Sequence, residues 1–186
     1  KMIKKLTYEK YLPYGIWIFF SYFTIHYAIE ISNGGNGWKT GDWLINYSDG
    51  FIRRGLMGSI LYAISDKGIP LLWLTYLIQV AIYAILFLII SKLYNYIHRS
   101  LFWLLILYSP AFLLFPFYDL QGGFRKEILV LTLFAYFCLV NVTNAVTNAK
   151  ILLIISLYLS ASLSHEITVF TLPFSLSFFF FYVQST

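Results

Sequence analysis

Residues 12–31 read LPYGIWIFFSYFTIHYAIEI. Twenty residues at a rise of 1.5 Å each make a helix of about 30 Å, one hydrocarbon thickness of a bilayer. The stretch is too long for a removable signal peptide and lacks a small-residue cleavage site. Lys1, Lys4, Lys5 and Lys10 stand before it, and such a cluster ahead of a first span predicts a cytoplasmic N-terminus. The rest of the chain has the same character. Of 186 residues, 60% are hydrophobic and 11% charged, with 18 Phe and 16 Tyr, whereas a soluble domain carries roughly a quarter charged residues. With so little polar surface to offer, the chain has the bilayer as its natural solvent. The expected fold class is all-α: a polytopic transmembrane bundle of about five or six spans plus a short interfacial helix.

Polar punctuation sets the expected boundaries of a single domain over residues 1–186. After the first span comes an outer loop and interfacial helix over residues 32–68, in which Gly55 to Ile64 is too short to cross. Asp66-Lys67-Gly68 breaks the chain and Pro70 suits a helix start. Further spans are expected over 71–90, 101–117 (with a kink at Pro110), 128–146, 151–163 and 167–183, with Asn148 and Lys150 forming a tight turn. The last two, read as two short spans or a re-entrant pair, are separated by Ser164-His165-Glu166, which interrupts an apolar run too long for one span.

Several functions are excluded or unsupported. The net charge of +5 comes from dispersed cations with no basic face, so nucleic acid is not an expected partner. Cys138 is the sole cysteine and reads as an inert thiol in an apolar run. No Walker loop, Gly-x-Ser-x-Gly or His-Glu-x-x-His is present.

Alternating the spans across the bilayer brings three polar segments to one side: Gly41-Asp42-Trp43 through Gly55, Tyr118-Asp119-Leu120-Gln121-Gly122-Gly123-Phe124-Arg125-Lys126-Glu127, and Ser164-His165-Glu166. Seven of the eight acidic residues lie on or near that side. The opposite side carries Lys92, Arg99 and Lys150 on short loops. Arginine's planar fork suits phosphate, which makes Arg53 and Arg54 candidate phosphate ligands. The Gly122-Gly123 turn, with exposed backbone N–H groups, and Arg125 and Lys126 form a second candidate anion site. An ionisable pair such as His165-Glu166 near membrane depth is a functional hypothesis by default. Each cluster also has a plain structural reading. Arginines at a helix edge snorkel to headgroups or pair with a nearby Asp, Glu127 suits a helix's first turn, and the His165-Glu166 loop can simply reach water. His26 and Glu30, at i,i+4, share a face of the first helix and are expected either to face the same cavity or, by slight preference, to pair with each other. Asp42, Asp49, His165 and Glu166 leave a divalent metal open as a cofactor.

The run Tyr47-Ser48-Asp49-Gly50-Phe51-Ile52-Arg53-Arg54-Gly55-Leu56-Met57-Gly58 looks like a motif in bacterial membrane proteins of surface-polysaccharide clusters. The wider layout resembles the polyprenyl-phosphate-dependent membrane glycosyltransferases of the GT-C class and, less closely, the O-antigen polymerases. That resemblance implies an acidic catalytic base in the first outer loop, Asp42 or Asp49, and basic residues of later outer loops, Arg125 and Lys126, on the lipid phosphate. It also implies a bacterial inner-membrane location, the bilayer and a polyprenyl-linked sugar as partners, and other membrane subunits where the chain is a reduced relative or a piece of a larger protein. The expected catalytic set is Asp49, Asp42, His165 and Glu166, and the substrate-binding set is Arg53, Arg54, Arg125, Lys126 and Glu127. A non-enzymatic subunit of a membrane complex and a flippase for lipid-linked sugars are the two rival expectations.

Overall fold

Among the described residues the long apolar runs are helical, and the breaks at Asn33-Gly34, Asp66-Lys67-Gly68 and His165-Glu166 fall between helices. The structure is a computed structural model that describes residues 2–96, 101–109, 112, 115, 119, 121–143 and 147–185, without the side chains of 2–13, 101, 104, 176 and 178–185. Lys1, Arg99, Pro110, Phe117, Tyr118, Leu120 and the stretch 144–146, each named in the expectations above, lie outside the described residues. Seven α-helices are described: α1 (Met2–Ser32), α2 (Leu56–Ser65), α3 (Leu71–Tyr94), α4 (Leu101–Leu107), α5 (Glu127–Val142), α6 (Asn148–Ser164) and α7 (Ile167–Ser185). There is no strand among the described residues, so the fold is all-α. One described helix, α3, is long and apolar enough to cross a membrane.

Several boundaries differ from the sequence expectation. α1 starts at Met2 rather than near residue 12, because the Met, Leu, Lys and Glu residues ahead of the first span are good helix formers. Lys4, Lys5 and Lys10 therefore belong to the helix instead of preceding it. The expected span 101–117 is not one helix. α4 ends at Leu107, Ser109 is a bend, and i to i+3 bonds link Ser109 to Ile106 and Phe112 to Ser109. A residue before proline is steered out of the α region, and Ser109 precedes Pro110. Asn148 to Lys150 is the first turn of α6, not a turn between helices, because the Thr147 side chain accepts from the Lys150 N–H at 3.3 Å and caps the helix.

α3 occupies the middle. It packs against α1, α2 and α5, and α5 in turn packs against α6 and α7. Leu74, Leu86, Phe87, Ile90 and Tyr94 of α3 are buried with Ile16, Leu61 and Ile128. A second core joins Leu133, Phe137 and Val140 of α5 to Ile154, Tyr158 and Ala161 of α6.

A one-turn 3₁₀ helix, Asp42–Leu44, sits beneath α2. Gly58 permits this approach, because a methyl group there would overlap the carbonyl oxygen of Ile45. The Tyr47 N–H bonds Ser59 Oγ at 3.1 Å and completes the junction. Overpacking of this kind typically costs about 1–3 kcal/mol. Gly58→Ala is therefore expected to lower the thermal midpoint by roughly 3–10 °C. Gly37→Ala, at a position with nothing within 4 Å, should leave it unchanged. Equal midpoints for the two variants, by thermal scanning of purified protein, would remove Gly58 from the packing argument.

Candidate functional site

The site is assembled by buried polar groups that find partners on distant parts of the chain. Trp43 has no exposed surface, and its indole N–H donates to the Phe124 carbonyl at 2.8 Å. Gln79, fully buried in α3, donates through Nε2 to that carbonyl and to the Lys39 carbonyl, both at 2.9 Å. Its Oε1 accepts from the Tyr27 hydroxyl at 2.8 Å. Phe124 has φ +61, a left-handed conformation that costs a non-glycine residue about 1–2 kcal/mol. Its ring stacks on Tyr27 with centroids 4.4 Å apart and leans on Tyr83 at 4.8 Å, contacts that hold the backbone there. The consequence is positional. Asp42 precedes Trp43, and Arg125-Lys126-Glu127 follows Phe124, so one set of hydrogen bonds sets both segments side by side.

Lys126 is completely buried, and its ammonium donates to the Arg54 carbonyl at 2.8 Å. Burial lowers its pKa, while Asp42 and Glu127 pull the other way. The Arg54 side chain points to the elbow between α6 and α7. Its Nε meets Glu166 Oε2 at 3.2 Å, and its Nη2 pairs with Glu166 Oε1. Arg53 reaches the same carboxylate, Nη2 to Oε2 at 2.5 Å, from a side chain 70% exposed. Arg54 Nη1 lies 3.9 Å from Asp42 Oδ1. The Asp42 side chain keeps only a tenth of its exposure, and its buried Oδ2 has no hydrogen-bond partner. Glu127 Oε1 lies 3.3 Å from Arg125 Nη2 and 3.5 Å from His165 Nε2. His165 is buried, and its Nδ1 accepts from the Ile167 N–H at 3.2 Å. The proton of the neutral ring is thereby assigned to Nε2, facing Glu127.

The structure thus gathers Asp42, Arg53, Arg54, Arg125, Lys126, Glu127, His165 and Glu166 into one cluster. Asp49 is not part of it. It stands in an exposed turn before Gly50 (φ +122) and makes no ion pair among the described residues. Among the described residues no group of three or more His, Cys, Asp or Glu could hold a metal ion. Of the four metal candidates, Glu166 is taken by two arginines, His165 faces Glu127 and Asp49 lies apart, while Asp42 keeps one oxygen unpartnered. The Gly122-Gly123 turn does not offer its N–H groups to an anion. Asp119 Oδ1 accepts from Gly122 at 2.8 Å and from Gln121 at 3.0 Å, and the Asp119 carbonyl accepts from Gly123 at 3.2 Å. Glu30 pairs with Lys39 at 2.5 Å rather than with His26, which is exposed beside the Tyr22 ring. Cys138 is half-buried in α5.

Tyr27, Trp43, Gln79 and Phe124 escaped the sequence reading. Gln79 carried a signal, as an uncharged polar residue inside the otherwise apolar run 71–90. A polar side chain in such a run must find partners.

Glu166 tests the clasp that closes the cluster. The Arg54 hydrogen bonds hold its carboxyl below the usual carboxylate range, with the charges of Arg54 and Arg53 acting in the same direction. A depressed folded-state value means that the tie contributes fully above the unfolded-state value, about 4.3, and is lost as pH falls through the folded one. Glu166→Gln should therefore lower the thermal midpoint at pH 7, and the gap to the parent protein should close below about pH 4. A gap that stays constant across this range would mean that Glu166 charge does not hold the elbow.

No family model matches the chain, and neither the curated proteins nor the solved structures contain a match.

Proposed function

We propose that the chain is a polytopic membrane protein of the bacterial inner membrane. Its charged cluster faces the outer side and transfers sugar from a polyprenyl-phosphate-linked donor. Two features support the membrane part. Helices α1, α3, α6 and α7 present large apolar side chains outward, among them Ile18, Ile25, Leu77, Leu152, Leu159 and Phe170. So many exposed large apolar side chains call for an apolar solvent or a covering partner. The charged cluster, in turn, draws only on loops and helix ends: 42, 53–54, 125–127 and 165–166.

The single observation that carries the chemistry is Asp42, a carboxylate nine-tenths buried with one oxygen unpartnered, beside Arg54. In this reading Asp42 Oδ2 takes the proton of an acceptor hydroxyl. The hydroxyl oxygen bonds to the anomeric carbon of the sugar as the bond from that carbon to the phosphate oxygen breaks. The phosphate leaves with the electron pair, and Arg53 and Arg54 stabilise its charge. Arg53, Arg54, Arg125 and Lys126 oppose Asp42, Glu127 and Glu166, four positive charges against three negative, so an anionic substrate is favoured. Lys126, bound to the Arg54 carbonyl, positions that arginine, and Glu127 positions His165. Reciprocal pairing of Arg54 with Glu166 and of Arg125 with Glu127 favours a second reading, a non-enzymatic subunit of a membrane complex whose charges only hold its own loops together.

Asp42→Asn separates the two. In nanodiscs supplied with polyprenyl-phosphate-linked sugars and hydroxyl acceptors, the variant is expected to lose about a hundredfold or more of the transfer rate, while Asp49→Asn stays near the parent. Transfer that survives Asp42→Asn would remove Asp42 as the base. Absence of any transfer, with a stoichiometric protein partner on gentle purification, would establish the subunit reading.

A further inference from the structure

An apolar groove of about 490 Å³ opens between α2, α3, α5 and α6. Leu56 and Ile60 of α2, Ile85 of α3, Leu133 of α5, and Leu157 and Ser164 of α6 are among the residues that line it, and none of its lining is charged. Ile60, Ile85 and Leu157 are each more than 40% exposed, so the groove is open along its side. One end of its lining is set by Leu56 and Ser164. Leu56 lies two positions after Arg54, and Ser164 two before Glu166. The groove therefore ends at the place where Arg53 and Arg54 converge on a single carboxylate.

We propose that this groove and the paired arginines form one binding site for a lipid that carries a phosphate, with the hydrocarbon chain between α2, α3, α5 and α6 and the phosphate on Arg53 and Arg54 in exchange for Glu166. The site rests on the reading above of a membrane protein that handles a lipid-linked phosphate, and gives that lipid a place. Charge complementarity commits the groove to this occupant. A purely apolar partner helix would leave the surplus positive charge at its end unanswered, whereas a phosphate oxygen pair matches the guanidinium fork as the Glu166 carboxylate does. Side-on access suits a chain that arrives from the plane of the bilayer. The exposed Arg53, at 70%, is the group a headgroup meets first.

The test uses the full chain in nanodiscs with three probes: geranylgeranyl phosphate, geranylgeraniol and inorganic phosphate. Geranylgeranyl phosphate should bind more tightly than the alcohol or the free ion. Ile85→Trp and Leu157→Trp, which fill the groove from exposed positions, should weaken both isoprenyl probes by about tenfold or more, the loss that follows when two methylene groups are kept from burial. Leu77→Trp, outside the groove lining on α3, should change neither. Arg53→Gln should narrow the gap between the phosphate and the alcohol. Unchanged binding in both groove variants would overturn the site, as would equal affinity for phosphate and alcohol in the parent protein. So would inorganic phosphate binding as tightly as its isoprenyl ester, or a dimer in native mass spectra that Ile85→Trp dissolves while no probe binds. Probe binding without sugar transfer would remove the transferase and keep the site. Sugar transfer with groove variants that bind like the parent would do the reverse.

Discussion

The Phe124 carbonyl is the point on which the charged cluster depends. It accepts from Trp43 and from Gln79 in a fully buried setting, where a donor left without a partner costs about 1–3 kcal/mol. Gln79 is held from the other side by Tyr27 and by the Lys39 carbonyl. Four parts of the chain therefore share one amide: α1, the loop after it, α3 and the loop before α5. None can move without stranding a buried polar group. The left-handed backbone of Phe124 is the local cost of aiming its carbonyl inward. Because Asp42 adjoins Trp43 and Lys126 follows two residues after Phe124, the network that stabilises the loops is also what brings acid and base together.

Glu166 supplies the second constraint, of a different physical kind. Its ion pairs with Arg53 and Arg54 lie at the surface of the elbow between α6 and α7, where water screens charge and individual pairs contribute little to stability. The planar fit of two guanidinium groups to one carboxylate gives the contact direction rather than strength. It ties the α6–α7 pair to the 53–54 loop without a hydrophobic commitment, and such a tie can be exchanged for another anion. The contrast with the Phe124 network is useful: one end of the site is immobilised by buried neutral hydrogen bonds, the other by an exposed, replaceable ion pair.

The helices were legible in the sequence because apolar runs and breakers are local signals. The breaks at Asp66-Lys67-Gly68 and at His165-Glu166 fall between helices as the pattern indicates. Legibility failed where one atom decided the outcome, as with Thr147 turning an apparent loop at Asn148 into a helix start, or Ser109 bending before a proline. Residues of the three polar segments were expected on one side, and 42, 53–54, 125–127 and 165–166 do meet in one cluster. Individual partners were not legible, since i,i+4 spacing suggested His26 for Glu30 while the loop delivered Lys39. The Gly122-Gly123 turn looked open to anions because spacing did not show that the Asp119 side chain takes the Gly122 N–H and the Asp119 carbonyl takes that of Gly123. Gln79 was visible as a polar residue in an apolar run, but its partners sit 40, 45 and 52 positions away, and spacing rules reach only one or two turns.

The carboxylates of the cluster are not equivalent, and the difference bears on which one can do chemistry. Glu166 has both oxygens in guanidinium contacts, so a proton arriving there would have to break them. Glu127 gives Oε1 to Arg125 and His165 together and leaves only Oε2 unpartnered. Asp42 meets its nearest arginine at 3.9 Å, beyond a hydrogen bond, and keeps a buried oxygen unpartnered. A buried acceptor in this condition is normally eliminated by folding. In the proposed function, that oxygen is the one open to a hydroxyl from outside the chain. Lys126 carries a buried ammonium whose pKa burial lowers and Asp42 raises, and its hydrogen bond goes to the Arg54 backbone.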